Sequence, residues 1–189
     1  MATKVRSKKV MNEPTVSRSE LLVGSSDETF RQFVHDTLAF AARLQDIRNQ
    51  LGEVIGLSGT QYTVLIAIAH LGATAEKIGV NLVADHLHFS GAFITIEISK
   101  LVAAGLVEKE TDPEDRRRVV LTITAKARAL LNALAPVQRP ANDMLFSCLS
   151  AQDFKKLRRI MSDLVQTADQ AIKLLDYTSP AVLAGSTRR

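Results

Sequence analysis

The sequence predicts a mainly α-helical fold with one small β-hairpin, and three observations lead to this prediction. Apolar residues recur at steps of three and four positions in several long segments, as in amphipathic helices. Two shorter helical segments are joined through the four residues HFSG. Directly after them, the β-favouring runs LVEKE and RVVLTIT flank TDPEDR, whose proline and aspartates favour a turn. This order predicts a helix-turn-helix unit followed at once by a hairpin.

Size and composition are those of one globular domain with tails. The chain has 189 residues, of which 46% are hydrophobic and 23% charged. A net charge of +4 permits a polyanionic partner without requiring one. The absence of Trp argues against single-strand binding by stacking, and the single cysteine excludes an intrachain disulfide. The charged N-terminus and the lack of a long apolar run predict a cytoplasmic protein with no membrane partner.

The first elements are an arm and a long helix. Residues 1–25 are polar and carry five basic residues against two acids, so we expect a flexible basic arm. Helical periodicity begins near Asp27 and ends between Gly52 and Gly56. The core of a helix-turn-helix unit with a hairpin does not need this long helix. Because the helix nevertheless has a wide apolar face, we predict a dimerisation helix over residues 26–56.

The next elements form the predicted DNA-binding domain, residues 57–125. Ser58 and Gln61 have the spacing of a capping box, which starts a helix that stops at Gly72. Ser90 caps the second helix of the helix-turn-helix, and Gly105 ends it.

Two further helices are predicted over residues 126–178. Pro136 and Pro140 interrupt the first of them, and each predicts a kink or a break. Ser150 and Asp153 mark the start of the last helix, which carries a long apolar stripe. Both helices are assigned to dimerisation. Residues 179–189 are predicted to be a frayed tail.

A helix-turn-helix followed by a hairpin is a winged helix, and this explains the three arginines at the hairpin tip. A wing beside a recognition helix reaches the DNA minor groove, where guanidinium groups meet concentrated negative potential. We expect Asp115 to orient Arg117 in a fork geometry. Arg116 and Arg118 are better suited to phosphate contact than to base reading.

The stretch GLVEKETDPEDRRRVVLTITAKA resembles the wing signature of the MarR family of bacterial transcriptional regulators. The order of elements agrees with that family from residue 27 to about 177. The resemblance implies a homodimer that binds a partly palindromic operator in double-stranded DNA. It also implies a small-molecule effector, which is an aromatic or phenolic compound or an acyl-thioester such as a CoA ester.

The resemblance also assigns candidate DNA-binding residues. They lie on the groove-facing side of the recognition helix and at the wing tip: Ser90, Gly91, Ala92, Thr95, Ile96, Ser99, Lys100, Asp115, Arg116, Arg117 and Arg118. Ile94, Ile98 and Leu101 are expected to face inward. The sequence departs from the family at Ile96, where relatives carry a polar or basic reader, and at Glu97, an acid expected close to the DNA face. Ala127 replaces the usual glycine after the wing.

A ligand site is expected where the first helix meets the second. Its candidates are Phe33, Phe40, Arg43, Tyr62, Ile66 and His70. Arg43 would pair with an acidic ligand, and ordinary packing is the alternative for most of the set.

Other functional classes have little support. No two of the four histidines have the i, i+4 spacing of a helical metal site, and His86 and His88 would point to different sides of one helix. Cys148 lies in an apolar run and is expected to be a buried, inert thiol. No nucleophile–base pair or cofactor motif is present, so an enzyme is not predicted. The predicted function is a ligand-responsive repressor, and the alternative is a winged helix that serves as a protein-interaction module.

Overall fold

The computed structural model describes residues 13–186, with side chains described as far as residue 178. The described part contains one short 3-10 turn, six α-helices and one antiparallel hairpin. The elements are α1 (Glu28–Val54), α2 (Gly59–Leu71), α3 (Val80–Leu87), α4 (Gly91–Ala103), β1 (Val107–Thr111), β2 (Val119–Ile123), α5 (Ala125–Leu145) and α6 (Ala151–Ser186). The predicted fold class and element order are confirmed. The chain divides into two compact units, Met1–Gln138 and Arg139–Arg189.

The segment before α1 is tied to the start of that helix. The backbone N–H and the hydroxyl of Thr15 donate to Asp27 Oδ2 at 2.6 and 2.8 Å. Arg31 Nε donates to the same oxygen at 2.9 Å. These bonds, led by the Thr15 N–H, lower the pKa of Asp27 to about 2. Within the predicted arm, Thr15 is thus bonded to Asp27 at the start of α1, and residues 1–12 lie outside the described part.

Helices α1 and α2 pack closely at one end. The capping box is confirmed, because Gln61 N donates to Ser58 Oγ at 3.1 Å and Ser58 N donates to Gln61 Oε1 at 2.9 Å. A Cβ atom on Gly59 would lie 2.9 Å from the Cα of Asn49 in α1. Only glycine permits this approach of the two helices.

The core of the first unit lies between α2, α3, α4 and the hairpin. Its fully buried side chains include Tyr62, Leu65, Ile68, Ile94, Ile98, Leu101, Leu121 and Leu134. Gly105 has a φ of +69° and turns the chain from α4 into β1. The strands pair in register from Val107 opposite Ile123 to Thr111 opposite Val119. The hairpin is joined to the segment before α3 by a bond from Leu121 N to Ile78 O of 2.8 Å.

Helix α5 corrects the prediction of a break at the prolines. It runs without interruption from Ala125 to Leu145 through Pro136 and Pro140. Each proline removes only one backbone donor, and the bonds on either side keep the helix intact. The boundary between the two units, after Gln138, falls between the two prolines.

The second unit is dominated by α6. Asp153 N donates to Ser150 Oγ at 3.1 Å, and Ser150 Oγ donates to Asp153 Oδ2 at 2.6 Å, so the predicted start is confirmed. The helix continues to Ser186, where the sequence predicted a frayed tail from 179. Cys148 is exposed, which corrects the expectation of a buried thiol. The loop that carries it separates α5 from α6, where few neighbours cover a side chain.

Within the described residues, no single helix has both the length and the apolar character to cross a membrane. Helices α1 and α2 meet that test only when taken together, and they are bent by 88°.

Candidate nucleic-acid interface

The turn between α3 and α4 fixes how α4 is presented. His88 has a left-handed backbone with a φ of 54°, so the chain leaves α3 and enters α4 within three residues. Ser90 Oγ accepts the N–H of Phe93 at 3.2 Å and caps α4. His88 lies beyond the end of α3, so the expectation that it shares a helix with His86 is wrong.

Helix α4 has one buried and one exposed face. Ile94, Ile98 and Leu101 are completely buried against the core, as the sequence predicted. The opposite face carries predicted DNA-binding residues, all exposed except the half-buried Gly91: Ser90, Gly91, Ala92, Thr95, Ile96, Ser99 and Lys100. The fold therefore offers a continuous outer face of α4 for binding.

Glu97 belongs to the buried face of α4. It is 6% exposed, and its Oε1 accepts from Lys100 Nζ at 2.7 Å. The expectation that this acid lies close to the DNA face is therefore wrong. Its position, three residues after Ile94 and four before Leu101, places it on the inner side of the helix. Lys100 is half exposed and screens the carboxylate.

The loop between β1 and β2 is held at its base by a buried carboxylate. Asp112 is 3% exposed, and its Oδ1 accepts from Lys77 Nζ at 3.0 Å and from Glu114 N at 2.9 Å. Lys77 also pairs with Glu114. The bond from the Glu114 N–H, followed by the bond from Lys77, lowers the pKa of Asp112. The Glu114 and Asp112 carboxylates raise the pKa of Lys77.

Asp115 orients Arg118 and not Arg117, which corrects the prediction. Asp115 Oδ2 lies 3.2 Å from Arg118 Nε, whereas Oδ1 accepts only the backbone N–H of Arg117 at 3.1 Å. Because the chain turns here, the side chain of Arg118, three residues after Asp115, points back toward the Asp115 carboxylate. Arg116 and Arg117 are exposed, and among the described residues no ion pair holds either guanidinium.

The wing arginines and α4 border one groove. A cavity of about 540 Å³ is lined by residues of the wing, of α3 and the segment before it, and of α4, namely Lys77, Gly79, Val80, Asn81, Gly91, Thr95, Asp112, Arg117, Arg118, Val119 and Val120. The sequence reasoning did not name Lys77 or Asn81. Neither the charge of Lys77 nor the amide of Asn81 belongs to a recognisable sequence motif. Both residues reach this groove because α3 and the segment before it pack against the wing.

Phe89 and Phe93 are further exposed groups that the sequence reasoning missed. Their rings meet edge to face, with centroids 5.2 Å apart. They are 45% and 38% exposed and extend the outer surface of α4 toward its N-terminus. The signal that could have identified them in the sequence is two phenylalanines four positions apart in a chain with few aromatics.

The predicted ligand residues do not line a common cavity. Tyr62 is 1% exposed in the core, with the Arg48 guanidinium 5.0 Å from its ring centre. Phe33 and Phe40 are exposed on α1, and Arg43 pairs with Asp46 at 3.2 Å. None of the six predicted residues lines the cavities of about 540, 460 and 340 Å³.

The buried hydroxyl of Tyr62 has no hydrogen-bond partner within the described residues. Burial raises the pKa of this phenol, an effect opposed by Arg48. His70, also in the predicted set, is exposed and stacks on His86 at 5.7 Å. The described residues contain no group of three His, Cys, Asp or Glu side chains suited to a metal ion.

Comparisons with known proteins agree with this arrangement. Residues 55–118 match the model of the MarR family. The chain is 24% identical over 116 residues to the HTH-type transcriptional repressor NicR of Pseudomonas putida. The matched region covers 61% of this chain and 70% of NicR.

Two examples illustrate the solved structures that share the fold. One is a mutant of MarR from E. coli complexed with operator DNA, with a TM-score of 0.58, 19% identity and coverage of 72% of this chain and 94% of that chain. The other is the transcriptional regulator BldR from Sulfolobus solfataricus, with a TM-score of 0.58, 25% identity and coverage of 72% and 96%.

The matched segment contains α2, the helix-turn-helix and the wing as far as Arg118. Of these elements, α3, α4 and the wing border the groove described above. Within these bounds the chain is similar to the MarR family, and over most of its length its fold is that of the MarR and BldR structures.

Proposed function

We propose that this regulator is a repressor that binds a pseudo-palindromic operator in double-stranded DNA as a homodimer and is released by a small effector. The observation that carries the proposal is the shared groove, in which the outer face of α4 and the arginines of the wing border one cavity. An exposed helix face enters the major groove, and an arginine-tipped hairpin beside it reaches the adjacent minor groove.

The wing supplies sequence-independent attraction for DNA. Arg116, Arg117 and Arg118 are all exposed, and only Arg118 has a carboxylate partner among the described residues. Guanidinium groups of this kind displace the cations condensed on the DNA phosphates, so binding weakens steeply with salt. Asp112 and Lys77 hold the base of the loop and restrict where the arginines can lie.

Dimerisation is supported by apolar surface that the single chain leaves uncovered. On α1, Phe33 is 55% and Leu38 63% exposed. On α6, an exposed stripe at helical spacing contains Phe154, Leu157, Ile160, Met161, Leu164, Val165, Ile172 and Leu175. Surfaces of this kind in a monomer usually mark an interaction site. A two-fold dimer would place two copies of α4 about 34 Å apart, one helical turn of DNA.

The effector we propose is a small aromatic acid or its CoA thioester. The exposed Phe33 and Phe40 offer apolar contacts on α1, and Arg43 on the same helix offers a cation. A ligand held there would favour a dimer in which the recognition helices have the wrong spacing, and so weaken DNA binding. Benzoate, hydroxybenzoates and benzoyl-CoA, titrated into the DNA-bound protein, test this part. Release by none of them would remove its support.

The decisive experiment is to sequence the genomic fragments that the full chain selects, and to measure its affinity for them against salt. We expect enriched fragments with two related half-sites, and a log–log slope of roughly −0.9 for each phosphate contacted. A protein-interaction module would instead enrich no sequence and associate weakly, with almost no salt dependence. That result would refute the operator.

A further inference from the structure

We infer that α4 reads its operator through the C5-methyl groups of thymine, with Ile96 and Ala92 as the specificity-determining residues. This inference rests on the proposed function, because it assumes that the outer face of α4 enters the major groove. It goes beyond that function by naming the base and the chemical group that are recognised.

The outer face of α4 is apolar at its centre. Ile96 is 55% exposed, and the exposed Ala92 lies one helical turn before it. Phe93, which is 38% exposed and braced by Phe89, borders the same surface. On a helix face that enters the groove, an exposed isoleucine gains about 0.8 kcal/mol for each CH₂ group that a nonpolar partner covers.

Polar side chains on this face already form hydrogen bonds or an ion pair within α4. The Thr95 hydroxyl donates to Gly91 O at 2.7 Å, and the Ser99 hydroxyl donates to Thr95 O at 2.8 Å. Both protons therefore serve the backbone of the helix, and Thr95 keeps a methyl group to present. The Lys100 ammonium is paired with Glu97 at 2.7 Å.

Base chemistry then selects thymine. Guanine is read by Arg or Lys at its O6 and N7 atoms, and adenine by Asn or Gln at N6 and N7. Among the residues of α4, all of which are described, none is Arg, Asn or Gln. The thymine methyl is the apolar group in the major groove, and Ala, Thr methyl and other apolar side chains contact it. Asn81 in α3, an amide of the kind that reads adenine, lines the groove beside α4.

The test removes that methyl group and nothing else. An operator selected by the full chain from a random duplex library is resynthesised with deoxyuridine in place of thymidine at one position at a time. Deoxyuridine keeps the pairing with adenine but lacks the methyl. We expect two or more positions in each half-site at which affinity falls about threefold to tenfold, the effect of withdrawing one buried methyl.

A double-mutant cycle assigns the contact to its residue. Ile96→Ala should bind the thymidine operator more weakly and lose most of the discrimination against deoxyuridine at one position. Val137→Ala, an exposed valine on α5, is the matched control and should keep the full discrimination. Because both side chains are exposed, both variants should fold normally.

Unchanged affinity for every deoxyuridine operator would overturn the inference while leaving the repressor intact, provided that the selected sequence still binds with a steep salt dependence. Discrimination that survives in Ile96→Ala would overturn the role of that residue. A library that yields no enriched sequence would overturn the proposed function and this inference together.

Discussion

At the scale of single residues, Asp115 shapes the tip of the wing. One carboxylate oxygen takes the backbone N–H of Arg117, and the other lies 3.2 Å from Arg118 Nε. The turn is thereby fixed, and the side chain of Arg118 is held back. Arg117 and Arg118 both line the groove, but only Arg118 is paired with Asp115. The exposed guanidinium of Arg117 is therefore the better placed of the two to contact DNA.

Arg117→Ala should therefore weaken operator binding by about 1–3 kcal/mol, because it removes one groove contact. Fluorescence anisotropy on a labelled operator measures the loss. Arg139→Ala removes the same charge from an exposed position on α5 and should leave the affinity almost unchanged. Equal losses in the two variants would mean that only the net charge matters.

Asp27 makes a second residue-scale prediction, on pH. Its pKa is about 2, below the ordinary 3.8, so its bonds stabilise the fold fully above pH 3.8 and are lost as pH falls through about 2. The NMR shift of the Thr15 amide should titrate with a midpoint near pH 2, and Asp27→Asn should abolish the titration. A midpoint near the ordinary value of 3.8 would show that the contact is not formed in solution.

Single side chains were the part of the site that the sequence predicted least well. Helical spacing correctly turned Ile94, Ile98 and Leu101 inward. The same spacing places Glu97 among them, but its charge suggested an outward position. Which of two adjacent arginines pairs with Asp115 depends on the geometry of the turn, which sequence spacing does not specify. A buried charge paired with a neighbour on the same helix is equally difficult to infer.

At the scale of elements, helix ends are set by local chemistry. Ser58 and Gln61 satisfy each other's backbone N–H groups at the start of α2, and Ser150 with Asp153 does the same for α6. Both starts were predictable, because a capping box is contained in four consecutive residues. The continuity of α5 through Pro136 and Pro140 was not predictable from the sequence. It depends on whether the surrounding helix tolerates the loss of two backbone hydrogen-bond donors.

Two serine-to-alanine variants separate a serine that caps a helix from one that does not. Ser58→Ala should lower the free energy of unfolding by about 1 kcal/mol, because the Gln61 N–H loses its acceptor. Ser99→Ala removes only a bond from its hydroxyl to the Thr95 carbonyl, and should change stability by less than about 0.5 kcal/mol. Urea unfolding measures both. Equal effects would contradict the capping role.

At the scale of the whole molecule, apolar residues remain exposed on helices at both ends of the chain. On α6 they form one stripe, and Leu164 lies near its centre while Gln166 faces the other way. The sequence predicted these faces because their period is regular over many turns. It could not show how they are covered, since that requires a second chain.

Leu164→Asp should convert the proposed dimer to monomers and abolish operator binding, because it places a charge in the apolar stripe. Gln166→Asp introduces the same charge on the polar side of α6 and should leave the dimer intact. Sedimentation equilibrium measures the assembly state. A wild-type chain that sediments as a monomer, or a Leu164→Asp variant that remains dimeric and binds DNA, would refute the role of α6.

The separation of α4 into two faces has a consequence for how the proposed regulator can diverge. Its inner residues Ile94, Ile98 and Leu101 are completely buried and hold the helix in place, while Ala92, Ile96 and Ser99 are exposed on the other side. Replacements on the outer side should cost less than about 0.5 kcal/mol of stability. After gene duplication, a copy is thus free to acquire a new target site through a few mutations, without first needing compensatory changes in its interior.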